Sequence, residues 1–174
     1  MNTLVKYLTA KFLGTEIVYR INVREAKKLG VQVGSDCRFI DTSASSFSTE
    51  PFLIEIGSHV SMTRPTFITH DGSVWVFRKK YPEIELFGKI VIGDNCFLGE
   101  GVLILPQTKV GNNCIVGAQT LLKGEYPDNS VIAGIPGKRI GSIEEFYDKN
   151  IDRFTYIRNL SSSDKKSELI RRFR

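Results

Sequence analysis

The chain has 174 residues, 24 basic and 19 acidic, for a net charge of +5, and 41% of its residues are hydrophobic. That is enough chain for one core with appendages. It excludes a transmembrane helix, because no run of about eighteen apolar residues occurs. It also lacks the basic stripe and motifs of a nucleic-acid reader.

Residues 1–30 are expected to form an N-terminal helical or irregular segment. Leu4, Leu8 and Phe12 share one face of a short helix over Leu4–Leu13. The apolar residues from Met1 to Val18 are broken by Lys6, Thr9 and Lys11. No clean signal-peptide core results, so the cytoplasm is the expected location. Asn22, with Glu25 three positions later, reads as a capping pair, and Gly30 as the end of that helix. A first coil begins at Val31–Ile40. The Ser/Thr-rich stretch Thr42–Pro51 reads as a loop.

A six-residue beat then takes over. It starts at Ile56-Gly57-Ser58-His59-Val60-Ser61 and continues with Met62 and Ile68. It is clearest from Ile92 through Leu98, Ile104, Val110 and Val116 to Leu122. Small or compact residues stand four places on: Cys96, Val102, Thr108, Cys114 and Thr120. Six is even, so on strands both sets face one side. On an α-helix a step of six turns about 240° and makes no stripe. Glycines and the Asp94-Asn95 and Asn112-Asn113 pairs supply corners that tolerate positive φ. Three hexads per coil would stack Ile92 on Val110 and Leu98 on Val116, an apolar interior column. Cys37, Cys96 and Cys114 share the inward fifth slot and read as small buried hydrophobes.

Between Ile56 and Ile92 lie six hexads, yet the middle fails by composition. Trp75, Phe77, Arg78, Lys79, Lys80 and Tyr81 would crowd a narrow coil. Residues 71–88 are therefore expected to leave the coil as a loop, and long loops in compact repeats are usually functional. Beyond Gly141, the residues Ile143, Phe146, Tyr147, Ile151, Phe154 and Ile157 suggest one face of a C-terminal helix. Ser161–Arg174 reads as a polar, basic, disordered tail.

The hexads resemble those of the hexapeptide-repeat acyltransferases, most closely the sugar, polysaccharide and xenobiotic O-acetyltransferases. The stretch Pro127-Asp128-Asn129-Ser130-Val131-Ile132-Ala133-Gly134-Ile135-Pro136-Gly137-Lys138 resembles that family's closing segment, commonly Pro-Pro-Asn-Ser-Val-Val-Ala-Gly-Asn-Pro-Ala-Lys. The resemblance covers about 56–140. It implies an all-β solenoid, a left-handed parallel β-helix over 31–140, followed by the helix and basic tail of 141–174. It implies acetyl-coenzyme A as cosubstrate, no metal, and a homotrimer with sites between subunits. Thr69-His70-Asp71 looks like the family's Thr-His-Asp element, which makes His70 the general base. The matching coenzyme positions are Glu100, Ala118, Lys123, Gly124 and Lys138, with Arg139 as a basic neighbour. Glu100 stands where a small polar residue is usual, leaving it a backbone role. Lys123-Gly124 stands where Thr-Lys is usual.

Asp71 is a candidate to orient the imidazole or meet the acceptor. Trp75 and Tyr81, in a loop like that of polysaccharide-modifying members, are candidates to stack on a saccharide. His59 is a corner residue. An N-acyltransferase of amino-sugar nucleotides, an antibiotic acetyltransferase and a non-catalytic scaffold remain alternatives. A carbonic anhydrase of this fold needs three histidines around zinc, and this chain has two.

Overall fold

The computed structural model describes residues 21–174, so the helix expected over Leu4–Leu13 lies outside the described residues. Helix α1 (Val23–Leu29) is closed at both ends by local chemistry. The Asn22 side chain accepts from Glu25 N, the Glu25 carboxylate accepts from Asn22 N, and Gly30 ends the helix in the left-handed region at φ 108°.

Fourteen short strands follow among the described residues. They are β1 (Gln32–Val33), β2 (Arg38–Ile40), β3 (Ile54–Ile56), β4 (Ser61–Thr63), β5 (Thr66–Phe67), β6 (Ile90–Ile92) and β7 (Phe97–Leu98). Then come β8 (Leu103–Ile104), β9 (Lys109–Val110), β10 (Ile115–Val116), β11 (Leu121–Leu122), β12 (Glu125–Tyr126), β13 (Ser130–Ala133) and β14 (Lys138–Ser142). They sort into three sheets, ordered β1-β3-β6-β9-β12, β14-β13-β10-β7-β4-β2 and β11-β8-β5. The chain visits the three in turn, and every pairing is parallel except β13 with β14. The hexads thus wind as stacked three-sided coils.

The interior follows the six-residue beat. Ile56, Ile92 and Val110 stack on the first face, Met62, Leu98, Val116 and Ile132 on the second, and Ile104 and Leu122 on the third. All are at most 4% exposed, and the two coils from Ile92 to Leu122 each add three buried aliphatics to one continuous column. The expectation for Ile68 needs correction. Phe67, not Ile68, pairs with Ile104 and is buried, while Ile68 is half-buried. Five residues rather than six separate Met62 from Phe67, because the Arg64-Pro65 corner is one residue shorter than Gly99-Glu100-Gly101 in the next coil.

Corners carry their own ladder. At the first corner Asp36, His59, Asn95, Asn113 and Asn129 all have φ between 53° and 59°. Asp and Asn tolerate this left-handed backbone better than other non-glycine residues. His59 Nδ1 lies 2.7 Å from Asn95 Oδ1, Asn95 Nδ2 donates to Asn113 Oδ1 at 2.9 Å, and Asn113 Nδ2 donates to Asn129 Oδ1 at 3.0 Å. His59 is thus the end rung of an asparagine ladder.

The cysteine slot faces inward, buried at Cys96 and Cys114 as expected but only half-buried at Cys37 in the first coil. Cys37, Cys96 and Cys114 are free thiols that donate to the carbonyls of Gly57 (3.1 Å), Gly111 (3.2 Å) and Pro127 (3.4 Å) in the adjoining coil. The adjacent Cys114 sulfur and burial both push the Cys96 thiol above its ordinary range, so Cys96 stays a neutral packing group.

The chain divides after Ile143 into two units. The second unit, Glu144–Arg174, contradicts two expectations. The helix beginning at Ile143 does not run on to Ile157: α2 (Ile143–Asn150) ends where Asn150 Nδ2 bonds Phe146 O, and a single 3₁₀ turn, Ile151–Arg153, follows. Tyr147 and Phe154 still meet, with ring centroids 5.4 Å apart. The tail is not irregular either. Helix α3 (Ser162–Arg172) is capped by Ser161, which accepts from Asp164 N, and Glu168 pairs with Arg171. Composition hid this helix because its stabilising contacts are polar and local. Among the described residues no helix is long and apolar enough to cross a membrane.

Candidate active site

Residues 71–88 leave the coil after β5 and return to β6 at the corner they left. Two backbone bonds close the stem: Asp71 N to Leu86 O at 2.8 Å and Gly88 N to Thr69 O at 2.9 Å. His70 and Phe87 form the bridge between these antiparallel segments. Gly88 sits so close to the Pro106-Gln107 corner that a Cβ there would lie 2.5 Å from Gln107 N, so only glycine closes the loop at this point. Within the loop the 3₁₀ segment Gly72–Phe77 starts at Asp71, whose carboxylate accepts from Ser73 N at 2.9 Å.

His70 is fixed from several sides. The preceding residue, Thr69, is fully buried; its hydroxyl donates to Glu50 Oε2 at 2.9 Å and its N–H to Ser48 Oγ at 3.3 Å. The imidazole lies against Phe87, with ring centroids 4.6 Å apart. Its Nε2 is 2.7 Å from Glu85 Oε2, and the other Glu85 oxygen accepts from Arg78 at 2.5 Å. A carboxylate only accepts, so Nε2 carries the proton and Nδ1 holds the ring's free lone pair. The side chain keeps 30% of its surface open, which leaves an approach for a substrate.

Asp71 does not orient the imidazole. Its carboxylate is turned to the loop's own backbone and is held below its ordinary value of 3.8 by the Ser73 N–H, then by the Ser73 hydroxyl and the fields of His70 and Lys123. The carboxylate that meets His70 is Glu85, which sequence spacing did not suggest. One signal was present: the hexads resume at Ile90–Ile92 on the next face, so a loop inserted after β5 must return to the corner it left, and residues just before Gly88 must neighbour His70.

Of the remaining candidates, four fall on two corners that border the third face, two lie on β14 and two stay in the loop. Lys123 and Gly124 follow β11 at the third corner, the corner from which His70 and Asp71 leave, and Lys123 is near enough to act on Asp71. Gly124 has φ 86° and nothing within 4 Å of where a Cβ would stand, which leaves room for a ligand to lie against the backbone. Glu100 and Ala118 stand at the second corner and are exposed. The Glu100 carboxylate is paired with Arg64, and its carbonyl accepts from Gln119 N at 2.8 Å. Lys138 and Arg139 are exposed on β14, opposite Ala133 and Ile132. Trp75 and Tyr81 stay in the loop, 72% and 48% exposed, each beside a cation: Arg78 is 5.8 Å from the Trp75 ring and Lys80 is 5.0 Å from the Tyr81 ring.

A bacterial transferase hexapeptide model (six repeats) matches residues 89–124, the coils from β6 to the third corner. Protein CapG of Staphylococcus aureus is 48% identical over 149 residues, covering 85% of this chain and 87% of that protein. This chain belongs to the hexapeptide-repeat transferases. Within that family it is an acyltransferase. A second relative is named a putative lipopolysaccharide biosynthesis O-acetyl transferase, WbbJ of Escherichia coli K12; it is 49% identical over 51 residues, 29% of this chain and 26% of that one. The fold is shared with the hexapeptide-repeat acetyltransferase VCA0836 of Vibrio cholerae (TM-score 0.56, 18% identity, 82% of this chain and 94% of that chain). A structure of VCA0836 is described as complexed with acetyl coenzyme A (TM-score 0.50, 19% identity, 66% and 61% covered).

Proposed function

We propose that this acyltransferase moves an acetyl group from acetyl-coenzyme A to a hydroxyl of a saccharide, in the assembly of a surface polysaccharide in the cytoplasm. The observation that carries the reading is His70, an imidazole with a free Nδ1 lone pair, held at the one break in the coils between β3 and β13. The names of WbbJ and VCA0836 support the acceptor class and the acetyl donor. In this reading the coils form a left-handed β-helix, and three copies associate with the sites between them.

The residues present suit the donor. Exposed Lys123, Lys138 and Arg139 offer charge to its phosphates. Corner backbone at Glu100, Ala118 and open Gly124 offers hydrogen bonds to its arm. Trp75 and Tyr81 offer ring faces to a saccharide, and Asp71 borders the same space. His70 Nδ1 takes the acceptor's hydroxyl proton as the oxygen attacks the thioester carbonyl carbon. The carbon–sulfur bond breaks, and the imidazolium returns its proton to the leaving thiolate. General-base assistance of this kind contributes roughly 10²–10⁴-fold.

The test is acetyl transfer from labelled acetyl-coenzyme A to a panel of sugars, amino sugars and sugar nucleotides, by wild type and His70→Ala, with circular dichroism to follow folding. Transfer to a sugar hydroxyl that falls by about 10²–10⁴-fold in the variant supports the reading. A folded His70→Ala within a few-fold of wild type removes His70 as the base. Transfer confined to amino groups removes the hydroxyl acceptor.

A further inference from the structure

Glu85 stands behind the imidazole, on the side away from the free Nδ1, so it has no place among the reacting atoms. We propose that Glu85 is a positioning residue for the general base and that Arg78 fixes Glu85 in turn; this rests on the reading of His70 as the base. The contact is set by the backbone. Glu85 lies two residues before Phe87, which bridges His70, and the stem bonds Asp71 N–Leu86 O and Gly88 N–Thr69 O hold this pairing in register. The carboxylate is used on both oxygens, one to His70 Nε2 at 2.7 Å and one to Arg78 at 2.5 Å. Asp71, nearer in sequence, is occupied by Ser73 N.

The chemistry follows from these contacts. By accepting from Nε2–H, Glu85 leaves the lone pair on Nδ1 and fixes the plane in which it points. When Nδ1 takes the acceptor's proton, a full positive charge appears on the ring beside a carboxylate already in place. That attraction is stronger in the transition state than in the ground state, so it lowers the barrier and not merely the binding energy. The Nε2 proton stays on nitrogen throughout. Arg78 holds the second carboxylate oxygen and stops Glu85 swinging into solvent. The charged groups around the ring are Glu85 and Arg78 from the loop, and Asp71, whose carboxylate also feels Lys123. The loop is thus part of the base and not only a platform for substrate.

The experiment compares Glu85→Gln, Glu85→Ala and His70→Ala. Glutamine retains an acceptor for Nε2–H and loses the charge. Turnover is expected to fall about tenfold in Glu85→Gln and about a hundredfold in Glu85→Ala, with the Michaelis constant for acetyl-coenzyme A unchanged. Independently of activity, the His70 ring is titrated by NMR; with only two histidines, a His59→Ala variant assigns the signals. Loss of the carboxylate removes the partner of the imidazolium, so the His70 midpoint and the acid limb of turnover must both move to lower pH in Glu85→Gln. A folded Glu85→Gln with the wild-type His70 midpoint overturns the proposal, as does a folded Glu85→Ala with wild-type turnover. Activity surviving in His70→Ala instead defeats the base reading, and the NMR result still decides whether Glu85 holds the ring.

Discussion

Asn113 is the middle rung of the first-corner ladder, and its replacement separates two physical contributions. Asn113→Ala removes two side-chain hydrogen bonds, to Asn95 at 2.9 Å and to Asn129 at 3.0 Å. Both are at the surface, where such bonds contribute about 0.5 kcal/mol each at the low end of the usual range. Alanine must also adopt φ 56°, a left-handed backbone that disfavours a Cβ without a local hydrogen bond by about 1–2 kcal/mol. The expected loss is therefore about 2–3 kcal/mol. Asn113→Gly loses the same two bonds but not the steric strain. It adds about 0.4–1 kcal/mol of unfolded-chain entropy instead. Glycine should thus be the milder change by about 0.5–1 kcal/mol, or about 2 °C in a chain of this size. Urea and thermal unfolding at one fixed protein concentration measure both variants, because association would shift apparent stability. If Asn113→Ala proved as stable as Asn113→Gly, left-handed corner geometry would not be what selects asparagine here.

Cys96→Ala should lower stability by about 1 kcal/mol through a small void and the lost bond to Gly111 O, with turnover unchanged; inactivity at an unchanged melting temperature would contradict a packing role. Lys138→Ala should raise the Michaelis constant for acetyl-coenzyme A more than it lowers turnover, since a remote phosphate contact binds ground and transition states alike; an unchanged constant removes Lys138 from the site. The Asp71 carboxyl is depressed below 3.8 by the cap to Ser73 N. Its contribution to the loop is therefore complete above that pH and is lost as pH falls through the lower, folded value. Trp75 is the chain's one tryptophan, so its fluorescence reports the loop directly. An acid transition present in wild type and absent in Asp71→Asn is expected, and an identical transition in both would show that the cap does not titrate the loop.

The period of six determined most of the coil by itself. A repeated residue type at an even spacing has one solution on strands, and the left-handed corners at Asn95 and Asn113 favour the residue types found there. Leu98, Val116 and Cys114 are buried where the beat puts them, and His70 stands where the coil breaks. The sequence could not decide what depends on where separated segments meet. Phe67 displaced Ile68 from the column because a corner one residue shorter shifts the strand, and spacing counted from a distance cannot detect a local deletion. Asp71, adjacent to His70, was bound by its own loop, while Glu85, fifteen residues away, came to the imidazole through the stem. Helix α3 formed in a stretch whose composition suggested disorder, since its cap and ion pair are local polar contacts that an average over residues does not register. Periodicity is a local property and is written along the chain. The partner of the His70 side chain is fixed by the path of a loop, and only the folded backbone specifies that path.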